Sequence, residues 1–300
     1  MRRAGHKREY DAREAREAYL LLAPFGVFFL LFVLYPIVRS VADSFTDYSL
    51  ASRNWVGLKN YLRLFRDRAF LLSVRNTVLY AAGSIVPLMA LGLGAALLVQ
   101  RQSRVMFAAR AALMTPYVTS LVAVSMVFLY LYDPTTGAFN KILSAVGLPR
   151  QQFLYDPSQA LWCLVAMNIW KNFGYVMILY LAGLTGVPQS LLEAASLDGA
   201  GVRAKLVHIQ LPHIRPVSYL LGTTLCVECF KTFEPVRLMT SGGPVNATTT
   251  ITYQIYIRAF SEFKMGYASA MSVVLLAIVL AVTLVNLRLG HQLDDGGDEG

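Results

Sequence analysis

Seven side chains able to do chemistry sit where this sequence is otherwise apolar: Asn168, Lys171, Asn172 and Tyr175 in one run, Glu228, Lys231 and Glu234 in another. An ammonium, carboxamides, a phenol and carboxylates can hold a polar solute, or lock neighbouring helices together as ion pairs. Lys171 is within reach of pairing with Glu228 or Glu234, so a structural ion pair and a solute contact both stand open for it. Glu228 with Lys231, and Glu234 with Arg237, stand three apart and can meet along one helix face. Nucleophilic, metal and nucleotide chemistry lack any comparable set. His6, His208, His213 and His291 lie in terminal segments or a polar loop, remote from any candidate nucleophile. Cys163, Cys226 and Cys229 all fall in apolar runs; Cys226 and Cys229 share a face but lack a third ligand, so packing is expected of them and no metal site. The chain has no G-x-x-x-x-G-K-[ST] loop, so it is expected to hydrolyse no ATP and to hold no cofactor itself.

The elements that position these residues follow from composition. Of 300 residues 56% are hydrophobic and only 15% charged, too few polar side chains to coat a water-soluble chain. A soluble enzyme is excluded, and the net charge of +9 reads as lysine and arginine beside lipid headgroups rather than as a nucleic-acid surface. A hydrocarbon core of roughly 30 Å needs about 20 apolar residues in a helix. The uncharged runs 19–38, 77–99, 111–132 and 267–287 meet this, and 160–184 and 217–239 meet it with charges inside. Six helices are therefore expected in an all-α integral membrane domain over 19–288, since no segment alternates as a barrel strand would. Residues 1–18 are too charged for a signal peptide, so an amino-terminal segment is expected to stay attached on the cytoplasmic side, and the acidic tail 289–300 to return there. Charge asymmetry between the loops leans only slightly toward that orientation.

Residues 186–216 leave the apolar pattern for too long to be a simple connection. Ser190 with Glu193 three residues later reads as a capping box that starts a short helix, Asp198-Gly199 closes it, and Val202, Leu206 and Ile209 carry a second one until Pro212 ends it. Glu193-Ala194-Ala195, Asp198-Gly199-Ala200, Ile209, Leu211-Pro212 and Pro216 resemble the EAA loop of permease subunits of binding-protein-dependent ABC importers. The resemblance implies the type I (MetI-like) permease fold, with Glu193 to Ala200 as the coupling helix that seats in a separate ATPase. Two alanines admit a close approach and Glu193 offers a carboxylate to a basic partner. Leu206 departs from the aromatic residue many relatives carry there.

Outside this loop, Thr240-Ser241-Gly242-Gly243-Pro244 with Thr248 to Thr250, Tyr256 and Phe260 resembles the carbohydrate-uptake branch of that family, which includes maltose and glycerol-3-phosphate permeases. Trp55 to Tyr61, and Asp133-Pro134 with Gly137 and Asn140, are similar to the same branch. The sequon at Asn246 is set aside, because the family is bacterial. Membership implies a multi-pass protein of the cytoplasmic (inner) membrane, a second and unlike permease subunit, two ATPase subunits that use ATP and Mg, and an extracytoplasmic solute-binding protein. The alternative, an ion-coupled secondary transporter of a small polar solute, would show paired internal repeats, and none is evident.

Overall fold

The computed structural model describes the backbone of residues 3–101 and 103–294, and the side chains of 14–101 and 103–288. Residues 1, 2, 102 and 295–300 lie outside it, so most of the acidic tail is not described. The described chain is helical, with one isolated bridge between Thr46 and Trp55. Its helices are α1 (Arg3–Phe29), α2 (Tyr35–Asp43), α3 (Lys59–Leu64), α4 (Arg68–Val99), α5 (Arg104–Val118), α6 (Leu121–Leu131) and α7 (Ala138–Ala145). There follow α8 (Ala160–Thr185), α9 (Gln189–Leu197), α10 (Val202–Lys205), α11 (Leu211–His213), α12 (Arg215–Phe230), α13 (Ile251–Tyr256) and α14 (Met265–Asp294). The chain divides into two units, 1–62 with 258–273 and 63–257 with 274–300.

In the smaller unit, the run from Glu14 to Asp43 is a continuous 30-residue rod, none of whose most apolar window is buried. At about 45 Å it spans a bilayer, and its exposed Leu, Phe and Val side chains need a hydrocarbon solvent. A wide π-turn, Leu30–Leu34, precedes Pro36. Proline lacks an N–H and its ring collides with the carbonyl four residues back, and the wider turn absorbs both defects. The Trp55-to-Tyr61 motif is structural: Asn60 Nδ2 donates to the carbonyls of Ser44 (2.9 Å) and Thr46 (2.8 Å), and Gly57 adopts φ +58°.

In the larger unit, α4 starts at Asp67, whose carboxylate accepts from the Ala69 (2.9 Å) and Phe70 amides. It lies along α8, with Leu88, Ala96, Val176 and Met177 fully buried between them. Gly92 permits this closeness, because a Cβ there would stand 2.5 Å from Val176 Cγ1.

Six unbroken helices are not what forms. Among the described residues four helices are long and apolar enough to cross a membrane: Glu14–Asp43, Arg68–Val99, Ala160–Thr185 and Met265–Arg288. The expected span 111–132 is two helices, α5 and α6, bent by 92°. Pro116 weakens α5 from inside, and Thr119 and Ser120 then take extended backbone. The expected span 217–239 is α12, which stops at Phe230 after 16 residues, about 24 Å, followed by a π-turn over Val236–Thr240.

Candidate functional site

The break between α5 and α6 opens onto a cavity of about 400 Å³, walled by α8 and α12. All seven residues singled out by type and spacing line it: Asn168, Lys171, Asn172, Tyr175, Glu228, Lys231 and Glu234. Helical repeat explains the first four, which fall within two turns of α8. Leu225 and Cys229 also line it, and Tyr80, Tyr117, Leu121, Thr224, Thr232 and Pro235, which escape the sequence reading, complete the lining. Pro116 beside Tyr117 was the available signal, since a proline inside an apolar run marks a place where side chains can leave the helical pattern.

Lys171 is only 8% exposed, yet it pairs with neither Glu228 nor Glu234. Its Nζ donates to the carbonyls of Thr119 (2.7 Å), Tyr117 (3.0 Å) and Pro116 (3.4 Å), which the broken helix leaves without amide partners. The ion-pair alternative loses to these carbonyls because the end of α5 presents them directly to the ammonium, without competing helix amides. Tyr117 stacks on Tyr175 with ring centroids 4.7 Å apart, and the ammonium lies 5.7 Å from the Tyr117 centroid. Asn172 Nδ2 donates to Asn168 Oδ1 at 2.8 Å.

On α12 the Glu228–Lys231 pair does form, at 3.6 Å, but both side chains are more than 60% exposed, so it contributes at most about 0.5 kcal/mol. The Glu234–Arg237 pair does not form: the chain leaves α-geometry between them, and the Arg237 guanidinium lies over the Tyr256 ring instead, 5.5 Å from its centroid. Cys229 is buried and Cys226 half-buried against the core, as packing residues are.

The loop beyond α8 keeps the expected helix–turn–helix with two corrections. Pro188, at φ −58° and ψ 126°, takes the N-cap position of α9, so Ser190 falls inside the first turn and the Ser190–Glu193 box does not form. Pro212 does not end the second helix: a π-turn over Leu206–Gln210 absorbs it and the chain stays helical to His213. The close of α9 follows the sequence. Gly199 is left-handed at φ +79°, with Ala200 N donating to Ala195 O (2.8 Å) and Gly199 N to Ser196 O (3.2 Å), a Schellman turn. No residue of α9 is buried; Glu193 and Ala194 are exposed and Leu197 is 90% exposed.

The remaining motifs hold loops. Thr248, Thr249 and Thr250 are buried, and their hydroxyls donate to the carbonyls of Gly243, Gly242 and Thr232 at 2.8, 3.0 and 3.1 Å. Asp133 accepts the Thr136 amide (2.7 Å), the Thr135 hydroxyl (2.7 Å) and amide (2.9 Å), and the Thr136 hydroxyl (3.0 Å). These donors, the Thr136 amide foremost, hold its carboxyl well below the usual carboxylate range.

Long apolar helices around a polar cavity, joined by a protruding loop with an unburied helix, define a membrane transport component. The family described as binding-protein-dependent transport system inner membrane component matches residues 88–294. Similar proteins include the probable ABC transporter permease protein YurN of Bacillus subtilis, 34% identical over 90% of this chain and 94% of that one. The sulfoquinovosyl glycerol transport system permease protein SmoG of Agrobacterium fabrum is 32% identical over 92% and 91%. The sn-glycerol-3-phosphate transport system permease protein UgpA of Yersinia pestis is 32% identical over 90% and 92%. A crystallised bacterial alginate ABC transporter, in complex with an alginate pentasaccharide-bound periplasmic protein, shares the fold with TM-score 0.84 at 24% identity, covering 95% of this chain and 97% of its own. The chain belongs to the binding-protein-dependent transport system inner membrane component family. It is a multi-pass permease subunit of an ABC importer with the MetI-like fold, not an ion-coupled carrier, and ATP hydrolysis falls to a separate ATPase. A solute-binding protein completes such an importer.

Proposed function

We propose that this permease carries a carbohydrate-type solute, a sugar or a glycerol phosphate or its diester, through the cavity between α8 and α12. The domain is 19–288, crossing the membrane in six segments, 19–38, 77–99, 111–132, 160–184, 217–239 and 267–287, with the third and fifth discontinuous. Discontinuous spans are tolerated where they line a cavity rather than face lipid, as the α5–α6 break does. Segment 1–18 and tail 289–300 lie in the cytoplasm, and so does the loop 186–216. The assembly contains a second, unlike permease, two ATPases that use ATP and Mg, and one extracytoplasmic binding protein. The named solutes of the relatives, sulfoquinovosyl glycerol and sn-glycerol-3-phosphate, support the solute class. Asn168, Lys171, Asn172, Tyr175, Glu228, Lys231 and Glu234 form the wall that the solute passes.

One observation carries the coupling role: α9 buries nothing in its own chain, yet is closed by a fixed Schellman turn. A helix none of whose residues is fully buried, tied to its own chain by the Lys205–Ser196 hydrogen bond, leaves a face free for an external partner. Glu193, Ala194 and Ala195 with Asp198, Gly199 and Ala200 are then the surface the ATPase grips. Glu193→Lys should leave membrane expression intact, and ATP hydrolysis in the reconstituted transporter should continue while uptake is lost. Undiminished uptake by that variant overturns the docking role.

A further inference from the structure

We infer that Lys171 is a positioning residue and not a solute ligand: its ammonium closes the open carbonyl end of α5 and sets the bend that shapes the cavity wall. A lysine has three N–H donors, and three carbonyls lie within hydrogen-bond distance here: Thr119 and Tyr117 closely, and Pro116 at 3.4 Å, which also accepts the Thr119 hydroxyl (2.6 Å). A solute that bound this ammonium would have to break one of these bonds first. The carbonyls belong to the end of a helix that turns through 92°, where the next turn of amides is missing. A cation is the favoured side chain at that end of a helix dipole.

A second, independent contact holds the same two helices. A Cβ on Gly174 would stand 2.0 Å from the Leu113 carbonyl oxygen, 2.8 Å from its carbon and 3.0 Å from Met114 Cα. Three residues along α8 from Lys171, then, backbone touches backbone. Gly174 grips α5 just before the break and Lys171 grips it at the break, so α8 fixes both where α5 ends and which way α6 departs. Tyr117 and Leu121, on either side of the break, carry that geometry into the cavity lining. The carboxylates facing the same space, Glu228 and Glu234, make no ion pair with Lys171.

The test is a distance across the break, measured by pulsed electron paramagnetic resonance on the assembled transporter in lipid nanodiscs. Spin labels go on the exposed positions Phe107→Cys and Tyr130→Cys, with Cys163, Cys226 and Cys229 replaced by alanine. For the observed bend of 92° the two sites lie about 24 Å apart, against about 35 Å for a straightened helix at 1.5 Å per residue. Lys171→Met should broaden the distribution toward the longer value, and Lys171→Arg, which keeps a cation, should restore the shorter one. Gly174→Ala, which leaves the charge in place, should also move the distance, because backbone must yield. Transport should follow the bend: Lys171→Met lowers the maximal rate tenfold or more, and Lys171→Arg recovers it. An unchanged distance in Lys171→Met, with a KM for solute raised tenfold at full maximal rate, overturns the inference and makes Lys171 a ligand. The transport arm rests on the proposed cavity route, but the distance arm does not. A transporter that moves no carbohydrate while the distances shift as stated would sink the solute assignment and leave Lys171 as the latch.

Discussion

Asn76 gives the sharpest test of how the outer turn is held. It sits on α4, is only 4% exposed, and its Nδ2 donates to the carbonyls of Asn246 (2.9 Å) and Thr249 (3.1 Å), 170 and 173 residues away. These two bonds, with the Ile251 amide donating to Thr77 Oγ1 (3.0 Å), fasten the Thr240–Thr250 turn to α4. Asn76→Ala removes both bonds; the Thr249 carbonyl is left buried without a partner, while that of Asn246 keeps the Thr249 amide (3.2 Å). A net hydrogen bond contributes about 1 kcal/mol and an unsatisfied buried group costs about 1–3 kcal/mol, so the substitution should destabilise by about 2–4 kcal/mol. Asn76→Asp should do no better, since a carboxylate faces the same carbonyls with no proton to give. The assay is equilibrium unfolding of the purified permease in mild detergent, with amide hydrogen exchange over 240–251 reporting whether loss starts in the turn. An Asn76→Ala chain within about 0.5 kcal/mol of the parent, with the turn still protected, would refute the claim that this side chain is the fastener.

Two further outcomes follow from loop geometry. Gly199→Ala meets no neighbour within 4 Å, so its cost is purely conformational, about 1–2 kcal/mol for a Cβ at φ +79°; it should speed amide exchange at Ala200 and raise the ATP consumed per solute moved. Asp133 has its carboxyl depressed in the folded turn, so its contribution is complete above the ordinary aspartate value of 3.8 and disappears as pH falls through the folded value. Thr135 and Thr136 amides should therefore stay protected from neutral pH down to about 4 and lose protection below it, while Asp133→Asn should flatten that profile.

What the sequence discloses, and what it hides, differs by the kind of interaction. Apolar length alone identifies α4, α8 and the outer helices, because burial in lipid is additive over residues and needs no knowledge of neighbours. Asp198-Gly199 is equally legible, since a left-handed turn is a local property of glycine. Ser190 misleads because its pairing with Glu193 competes with Pro188, whose fixed φ suits the extended N-cap two residues earlier. The 111–132 run misleads more deeply, for hydropathy is blind to direction and an apolar segment reads the same straight or bent. Lys171 shows the limit most clearly. All seven polar residues line one cavity, but the partners of Lys171 are backbone carbonyls, present at every residue and therefore invisible in residue types.

The connectivity of the larger unit gives the proposed coupling loop a direct mechanical route to the cavity. Residues 186–214 join the end of α8 directly to the start of α12, the two helices whose polar faces wall the cavity. The helices meet at the base of that loop, where a Cβ on Gly183 would stand 3.0 Å from Val217 Cγ2 and 3.3 Å from Ile214 Cγ2. Gly183 is twelve residues from Lys171, about 18 Å along a helix, so a tilt of about 10° at this contact displaces the cavity wall by about 3 Å. A shift of that size exceeds the margin of any hydrogen bond to a solute, or of the Lys171 bonds to the α5 carbonyls. Because interior packing is dense and α8 is continuous from Ala160 to Thr185, force applied at α9 cannot be dissipated within the helix. It must appear as a change in the cavity, in the bend of the broken span, or in both, and the latch at Lys171 ties those two changes together.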